Sequence, residues 1–131
     1  MAFTSTISGY KRTTGAIGES YAVDYLKSKG HSIIDLNYHN SYGEIDIITI
    51  KSDCVFYTEV KTVKSHNTSP AEHMDWKKLR KTSKLAQMHY NILLERNQIG
   101  EDFAYTLNLI CVYLNHNNSL RNIEFLEGLE A

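Results

Sequence analysis

Residues 43–61 read GEIDIITIKSDCVFYTEVK, and this stretch predicts a β-hairpin. The runs 45–50 and 54–60 are rich in β-branched and aromatic residues, with polar side chains at every second position. This alternation is typical of half-buried strands. A two-residue loop, Ser52-Asp53, would join the strands into an antiparallel pair.

The predicted hairpin brings three carboxylates and an ammonium group together. With a loop at Ser52-Asp53, Asp46 lies opposite Glu59 and Glu44 lies opposite Lys61. Directly opposed Cβ atoms in such a pair are only about 4.5–5.5 Å apart. Two carboxylates at that separation repel each other unless a proton or a cation lies between them. Mg²⁺ is a natural candidate because it prefers oxygen ligands and is often held by one or two carboxylates.

A second interpretation of the same pattern needs no ligand. Acids and lysines alternate on the solvent face of many antiparallel sheets, and a Glu44–Lys61 ion pair across the strands would explain part of the pattern. Spacing alone does not decide between a metal site and a solvated strand face.

The first helix is predicted from Thr13 or Thr14 to Gly30, and it carries an acid in an unexpected place. Glu19 falls on the apolar arc of the helical wheel, where an unpaired carboxylate is costly to bury. Either the edge of this arc is exposed or a backbone donor binds the carboxylate, or Glu19 leans over the sheet toward the predicted metal site.

The remaining pattern predicts an α/β fold, bordering on α+β, with a mixed sheet of four to five strands flanked by helices. Ser69-Pro70-Ala71-Glu72 combines an N-cap serine, a proline at the first helical position and a glutamate three residues after the cap, which predicts a helix from there to about Asn97. The other predicted elements are strands at 31–38, 103–114 and 122–126 and a polar loop at 62–68.

Basic residues are concentrated between Lys61 and Lys84, a segment that contains seven basic residues and only two acidic ones. Most of these basic residues lie on the exposed side of the second predicted helix, as a solvated surface or as a track for phosphates. The candidate nucleic-acid-binding residues are Lys64, Lys77, Lys78, Arg80, Lys81 and Lys84.

Composition excludes several classes of protein. With 131 residues, 42% of them hydrophobic and 22% charged, the chain is expected to form one globular domain over 1–131, with a loose leader at 1–12. No apolar run approaches the roughly 20 residues of a membrane-spanning helix, and no secretory leader is visible, so a cytoplasmic location is expected. Cys54 and Cys111 lack the spacing of a metal site or redox motif and are expected to be reduced thiols.

Several of these residues together resemble the YraN-like family of small bacterial proteins. That family resembles a branch of the PD-(D/E)xK nuclease superfamily, similar in organisation to archaeal Holliday-junction resolvases. The resemblance covers most of the chain and is most specific between Gly15 and Thr62. The residues that carry it are Gly15-Ala16-Ile17-Gly18-Glu19, Ala22, Tyr25-Leu26, Gly30, Asn37, Gly43-Glu44-Ile45-Asp46 and Glu59-Val60-Lys61-Thr62.

The resemblance implies a Mg²⁺- or Mn²⁺-dependent nuclease that hydrolyses phosphodiester bonds in DNA. It assigns the catalytic positions to Glu19, Asp46, Glu59 and Lys61, with the three acids as metal ligands. Glu44 is left with two roles, as an acid that supports these ligands or as a partner for Lys61. Branched or repair DNA is the expected substrate class, DNA is favoured over RNA, and a homodimer would suit resolvase-like cutting. The alternative is a nuclease-like module that binds nucleic acid or a partner without cutting.

The chain departs from the family pattern at two places. An arginine commonly follows the EVKT motif in the family, whereas this chain continues with Thr62-Val63-Lys64. The later strand commonly carries Arg-Phe-Asp, and the segment 105–109 has neither the arginine nor the aspartate. The four implied catalytic positions are all present.

Overall fold

The computed structural model describes residues 13–64 and 75–130. Two helices and five strands follow in the predicted order, so the predicted α/β class is confirmed. The predicted leader at 1–12 lies outside the described residues. The elements are α1 (Thr14–Ser28), β1 (Ser32–Asn40), β2 (Gly43–Lys51), β3 (Cys54–Val63), α2 (Trp76–Glu95), β4 (Ala104–Leu114) and β5 (Leu120–Leu129).

The five strands form one mixed sheet in the order β1-β2-β3-β4-β5. Neighbouring strands are antiparallel except β3 and β4, which are parallel. Parallel neighbours need a long crossover, and α2 provides it. In the described part of the chain, neither helix has the length and apolar character needed to cross a membrane.

The hairpin between β2 and β3 confirms the predicted loop, and it confirms the predicted register as far as the Ile47–Thr58 pair. Its paired residues run from Lys51–Cys54 to Ile47–Thr58, as a Ser52-Asp53 loop requires. The predicted Asp46–Glu59 and Glu44–Lys61 pairs do not form, because the two strands separate there. Both loop residues adopt left-handed backbone conformations, with φ values of 50° and 57°. Two left-handed residues match the twist of a two-residue hairpin.

The helices cover opposite faces of the sheet. On one face, Leu26 of α1 packs with Ile47 and Ile110, and all three are fully buried. On the other face, Leu85 of α2 packs with Tyr57. Burying a large aliphatic side chain contributes about 1.5–3 kcal/mol, so these two clusters hold the sheet between its helices.

A buried polar pair lies within the α2 cluster. The Tyr57 hydroxyl lies 2.9 Å from Nδ1 of His89. Burial lowers the pKa of His89 and raises the pKa of Tyr57, so both groups are neutral at physiological pH. The hydroxyl and the neutral imidazole therefore share one hydrogen bond, and two buried polar groups satisfy each other.

The second helix begins later than predicted. Asp75 has an extended backbone and caps α2 by accepting hydrogen bonds from the amides of Lys77 and Lys78, so the helix starts at Trp76. A continuous helix from Ser69 to Asn97 is therefore wrong, because an extended residue interrupts it. Aspartate is as good an N-cap as serine, so the sequence offers a helix start at Asp75 as well as at Ser69. The Ser69–Glu72 motif itself lies outside the described residues.

β3 and β5 extend beyond their predicted ends. β5 spans Leu120–Leu129, whereas the sequence predicts only 122–126. β3 continues to Val63, so the first residues of the predicted polar loop belong to the sheet. Most of the extra residues in both strands pair with β4, which is the longest strand of the sheet.

A close contact between Gly18 and Thr62 sets the position of α1 on the sheet. A Cβ atom on Gly18 would overlap Oγ1 of Thr62 on β3. Only glycine lets the helix come this near to the strand. The contact brings the next residue, Glu19, to the end of the sheet where the predicted site lies.

We expect Gly18→Ala to lower the free energy of unfolding by about 1–3 kcal/mol, because overpacking forces the helix away from the strand. Urea denaturation measures this change. Gly15→Ala is the control, since nothing lies within 4 Å of its added methyl group. Adding Thr62→Ala to Gly18→Ala should restore much of the stability. Equal stability of the two glycine variants would contradict the packing role.

Candidate active site

β2 and β3 separate beyond the Ile47–Thr58 pair, and this fork contains the predicted acids. Past that point β2 continues beside β1, and β3 continues beside β4. Oδ2 of Asp46 accepts a hydrogen bond of 2.8 Å from the backbone N–H of Val60. A carboxylate therefore occupies the place where the next interstrand hydrogen bond would form.

The side-chain alternation of β2 is interrupted at Asp46. Ile45 packs in the cluster beside α2, whereas Ile47 packs in the cluster beside α1. In a regular strand these two residues would share a face. The alternation that the sequence predicts for this strand therefore fails at Asp46, because its carboxylate turns toward the backbone of β3.

Glu19 reaches this fork from α1. Burial raises the pKa of its carboxyl group, and the negative charges of Asp46 and Glu44 raise that pKa further. A side-chain hydrogen bond from Asn37 opposes the rise. Of the three interpretations of Glu19, the structure favours the one in which it leans toward the acids of the hairpin.

Asn37 is a site residue whose contribution cannot be deduced from charge patterns. It lies on β1 opposite Asp46, between the Leu36–Ile47 and Tyr38–Ile45 pairs, and has a left-handed backbone with φ of 53°. Asparagine is among the few residues that tolerate this conformation. Backbone strain of this kind is concentrated at functional sites. Two signals in the sequence pointed to Asn37: an asparagine within a strand pattern and its place among the residues that carry the family resemblance.

We expect Asn37→Ala to raise the pKa of Glu19 further, because the hydrogen bond that favours the charged carboxylate is lost. A ¹³C NMR titration of the glutamate carboxyl groups measures the pKa of Glu19. Asn37→Gly keeps the left-handed backbone and should give the same rise, while remaining more stable than the alanine variant by about 1 kcal/mol. An unchanged Glu19 pKa in both variants would show that the amide does not act on it.

The Asp46 carboxyl balances opposing influences. Burial raises its pKa, and the charge of Glu44 adds to this rise. The hydrogen bond from Val60 and the positive charges of Lys78 and Lys61 lower it, although the net direction is upward. The charged form of a half-buried acid with this set of neighbours is stabilised when a cation comes close.

Glu59 is held by a lysine of α2. Oε2 of Glu59 lies 3.5 Å from Nζ of Lys78. Within the described ranges, Glu59–Lys78 is the ion pair that the acids of the predicted site form. The alternative Glu44–Lys61 pair does not form. The interpretation of these residues as a solvated strand face relied on the Glu44–Lys61 ion pair, so the structure removes its main support.

The predicted basic residues fall into two groups. Lys78 lines a shallow pocket with Glu44, Asp46, Glu59 and Thr82. The other four cations of α2 are exposed, and Lys64 follows the end of β3 and is half-buried. Those four are Lys77, Arg80, Lys81 and Lys84.

The acids suit a hard divalent cation by their chemistry. Glu19, Asp46 and Glu59 offer oxygen ligands. The pKa values of Glu19 and Asp46 are raised first by burial and then by neighbouring negative charge, and a cation would stabilise the charged form of both acids. In residues 13–64 and 75–130 no three His, Cys, Asp or Glu side chains already stand as one ligand set. Glu59 would have to turn from Lys78 to join the other two.

Comparison with known proteins gives one family match. The model of Uncharacterised protein family UPF0102 matches residues 18–112. The matched range begins just before Glu19 and ends within β4, so it contains Asp46, Glu59 and Lys61. All four positions implied by the sequence resemblance lie inside it.

Individual relatives agree with this match. A UPF0102 protein of Alkaliphilus oremlandii is 45% identical over 89 residues, which are 67% of this chain and 73% of the relative. One of Campylobacter lari is 34% identical over 111 residues, covering 85% of this chain and 93% of the relative. One of Clostridium botulinum is 33% identical over 115 residues, covering 87% and 90%.

Proposed function

Because the chain belongs to the UPF0102 family, the YraN-like branch of the PD-(D/E)xK nuclease-like proteins, we propose that it is a metal-dependent nuclease that hydrolyses DNA phosphodiester bonds. The observation that carries this proposal is the position of Asp46. Its carboxylate is fixed in the fork between β2 and β3 and interacts electrostatically with Glu19 of α1. Glu59 lines the pocket beside it.

Glu19, Asp46 and Glu59 would hold Mg²⁺ or Mn²⁺ through their carboxylate oxygens. When bound, the ion lowers the pKa of water and offsets negative charge on the phosphate. Hydrolysis forms a bond from the water oxygen to phosphorus and breaks one phosphorus–oxygen ester bond, and the leaving oxygen takes up a proton. Lys61 would orient the attacking water or offset charge on the phosphate. Glu44 lines the same pocket and would act on Asp46 through its charge.

The exposed cations of α2 would carry the DNA backbone past this fork. Lys77, Arg80, Lys81 and Lys84 lie on the exposed side of the helix that also contributes Lys78 to the pocket. Phosphate contacts of this kind position nucleic acid without reading its sequence. Structure-selective cutting of branched or repair DNA by a symmetric dimer fits such a surface, since two sites would then act on two strands.

Incubation with a panel of substrates tests the proposal. Branched, nicked, linear and single-stranded DNA, with RNA of matching sequence, would be treated with the purified protein in Mg²⁺, in Mn²⁺ and in EDTA. We expect cleavage of at least one DNA substrate in Mg²⁺ or Mn²⁺ and none in EDTA. Absence of cleavage of every substrate in both metals, or cleavage that persists in EDTA, would overturn it.

A binding module that does not cut is the second candidate. It is favoured by the Lys78–Glu59 ion pair, which occupies one of the three acids with a cation of the chain itself. This candidate predicts DNA binding that weakens steeply with salt and persists when Asp46 is replaced. Metal-dependent turnover by the wild-type protein would exclude it.

A further inference from the structure

Lys78 differs from the other cations of α2 in its surroundings. Its side chain is 42% exposed and its partner Glu59 is 16% exposed, so the ammonium points down to the sheet. The helix fixes this direction, since Thr82 and Leu85 follow at spacings of four and three residues and are buried. Lys77 next to it is exposed. The side chain of Lys78 thus lies at the fork between β2 and β3, whereas the side chains of the other α2 cations lie on the exposed surface.

Lys78 also acts on the acid that matters most to the proposed chemistry. It lines the same pocket as Asp46. Its charge lowers the pKa of Asp46 more than the charge of Lys61 does. Lys61, the lysine that the family resemblance assigns to catalysis, is not among the residues lining that pocket. The structure therefore offers a second lysine to the site.

The ion pair of Lys78 is suited to exchange. Its 3.5 Å separation is longer than the roughly 2.7–2.9 Å of a direct charge-assisted hydrogen bond. Partly exposed pairs of this kind contribute little to stability, and either partner is readily replaced by another ion. A phosphate oxygen is a stronger acceptor for the ammonium when a divalent ion takes over the carboxylate.

We propose that Lys78 is a second lysine of the active site, which pairs with Glu59 in the free protein and moves to a phosphate oxygen of bound nucleic acid. The inference rests on the proposed function, because it assigns the exchange to the same acids. Transfer of the ammonium frees Glu59 for the metal and places a positive charge on the phosphodiester. Substrate binding and metal binding then favour each other through one side chain.

Lys78→Gln tests the exchange, with Lys77→Gln as the matched control on the same helix. Without DNA, Mn²⁺ affinity measured by electron paramagnetic resonance should rise about three- to tenfold in Lys78→Gln, since Glu59 loses its competing cation. Affinity for a labelled DNA duplex in Ca²⁺, measured by fluorescence anisotropy, should fall about tenfold or more. Lys77→Gln should leave the Mn²⁺ affinity unchanged and should lower the DNA affinity by less than about threefold.

The opposite signs of the two changes separate this role from others. A structural role would weaken both kinds of binding together, and a surface role would make Lys78→Gln behave like Lys77→Gln, so either result overturns the inference. Lys78→Arg should retain most of the DNA affinity because it keeps the charge. If the wild type cuts no DNA, the proposed nuclease function fails, while the Mn²⁺ and DNA affinities still decide whether Lys78 exchanges Glu59 for phosphate.

Discussion

Replacing Asp46 with asparagine should reduce metal-dependent DNA cleavage by about a thousandfold or more, the scale of loss for a residue that acts as part of a catalytic unit. The substitution keeps the shape of the side chain, and the amide oxygen can still accept the hydrogen bond from Val60. Only the charge that would hold the cation is removed. Single-turnover cleavage at saturating Mg²⁺ measures the effect.

The same variant should be more stable than the wild type at neutral pH. Because burial raises the pKa of Asp46, the folded protein binds its proton more tightly than the unfolded chain does. This contribution to stability is complete below the unfolded pKa of about 4 and is lost as pH rises through the folded pKa. Asparagine is never charged, so thermal unfolding of Asp46→Asn should lose less stability over that pH range.

Asp24→Asn is the control for both measurements, since Asp24 is an exposed acid on α1. It should leave both cleavage and stability at wild-type values. Loss of activity together with a gain in stability marks a charge that is maintained for function. If Asp46→Asn cleaves like the wild type, or becomes less stable at neutral pH, Asp46 is an ordinary structural residue.

Divalent cations should stabilise the wild-type protein strongly. A ligand at one hundred times its dissociation constant stabilises the folded state by about 2.7 kcal/mol when it binds only that state. The burial of Glu19 and its repulsion by Asp46 are the physical source of this preference, since a shared cation offsets both. Melting temperatures measured over a Mn²⁺ titration at pH 8 report the effect, and protons should weaken it at pH 5.

The controls for this titration are Asp46→Asn and Glu19→Gln. We expect the first to abolish the Mn²⁺-dependent rise in melting temperature and the second to reduce it. An exposed acid changed in the same way, as in Asp24→Asn, should preserve the full rise. Equal rises in all four proteins would mean that Mn²⁺ binds elsewhere on the chain.

The hairpin was predictable because its pattern and its loop agree. The alternation of polar residues predicts which side chains lie on each face of the hairpin, and a two-residue loop fixes the register. The Ile47–Thr58 pair therefore follows from sequence alone. The fork beyond that pair was not predictable. It arises where Asp46 bonds to a backbone N–H of another strand, and a short-range pattern contains no information about such a bond.

The residues around the fork show the same limit. Asn37 acts through a left-handed backbone that asparagine permits but does not require. Lys78 stands on the boundary between the buried and exposed sides of α2, where a helical wheel allows either direction. The spacing to buried Thr82 and Leu85 was the available signal, and it becomes decisive only when the start of the helix at Trp76 is known.

The hydrogen bond from Val60 to Asp46 gives the protein a natural reporter of its own site. Backbone amide protons shift in the NMR spectrum when the charge of their acceptor changes, and Val60 has this carboxylate as its acceptor. Its resonance would follow protonation of Asp46 and the arrival of a cation, without any label in the site. One amide proton in a ¹⁵N spectrum would thus allow metal affinity and acid titration to be measured at a single atom.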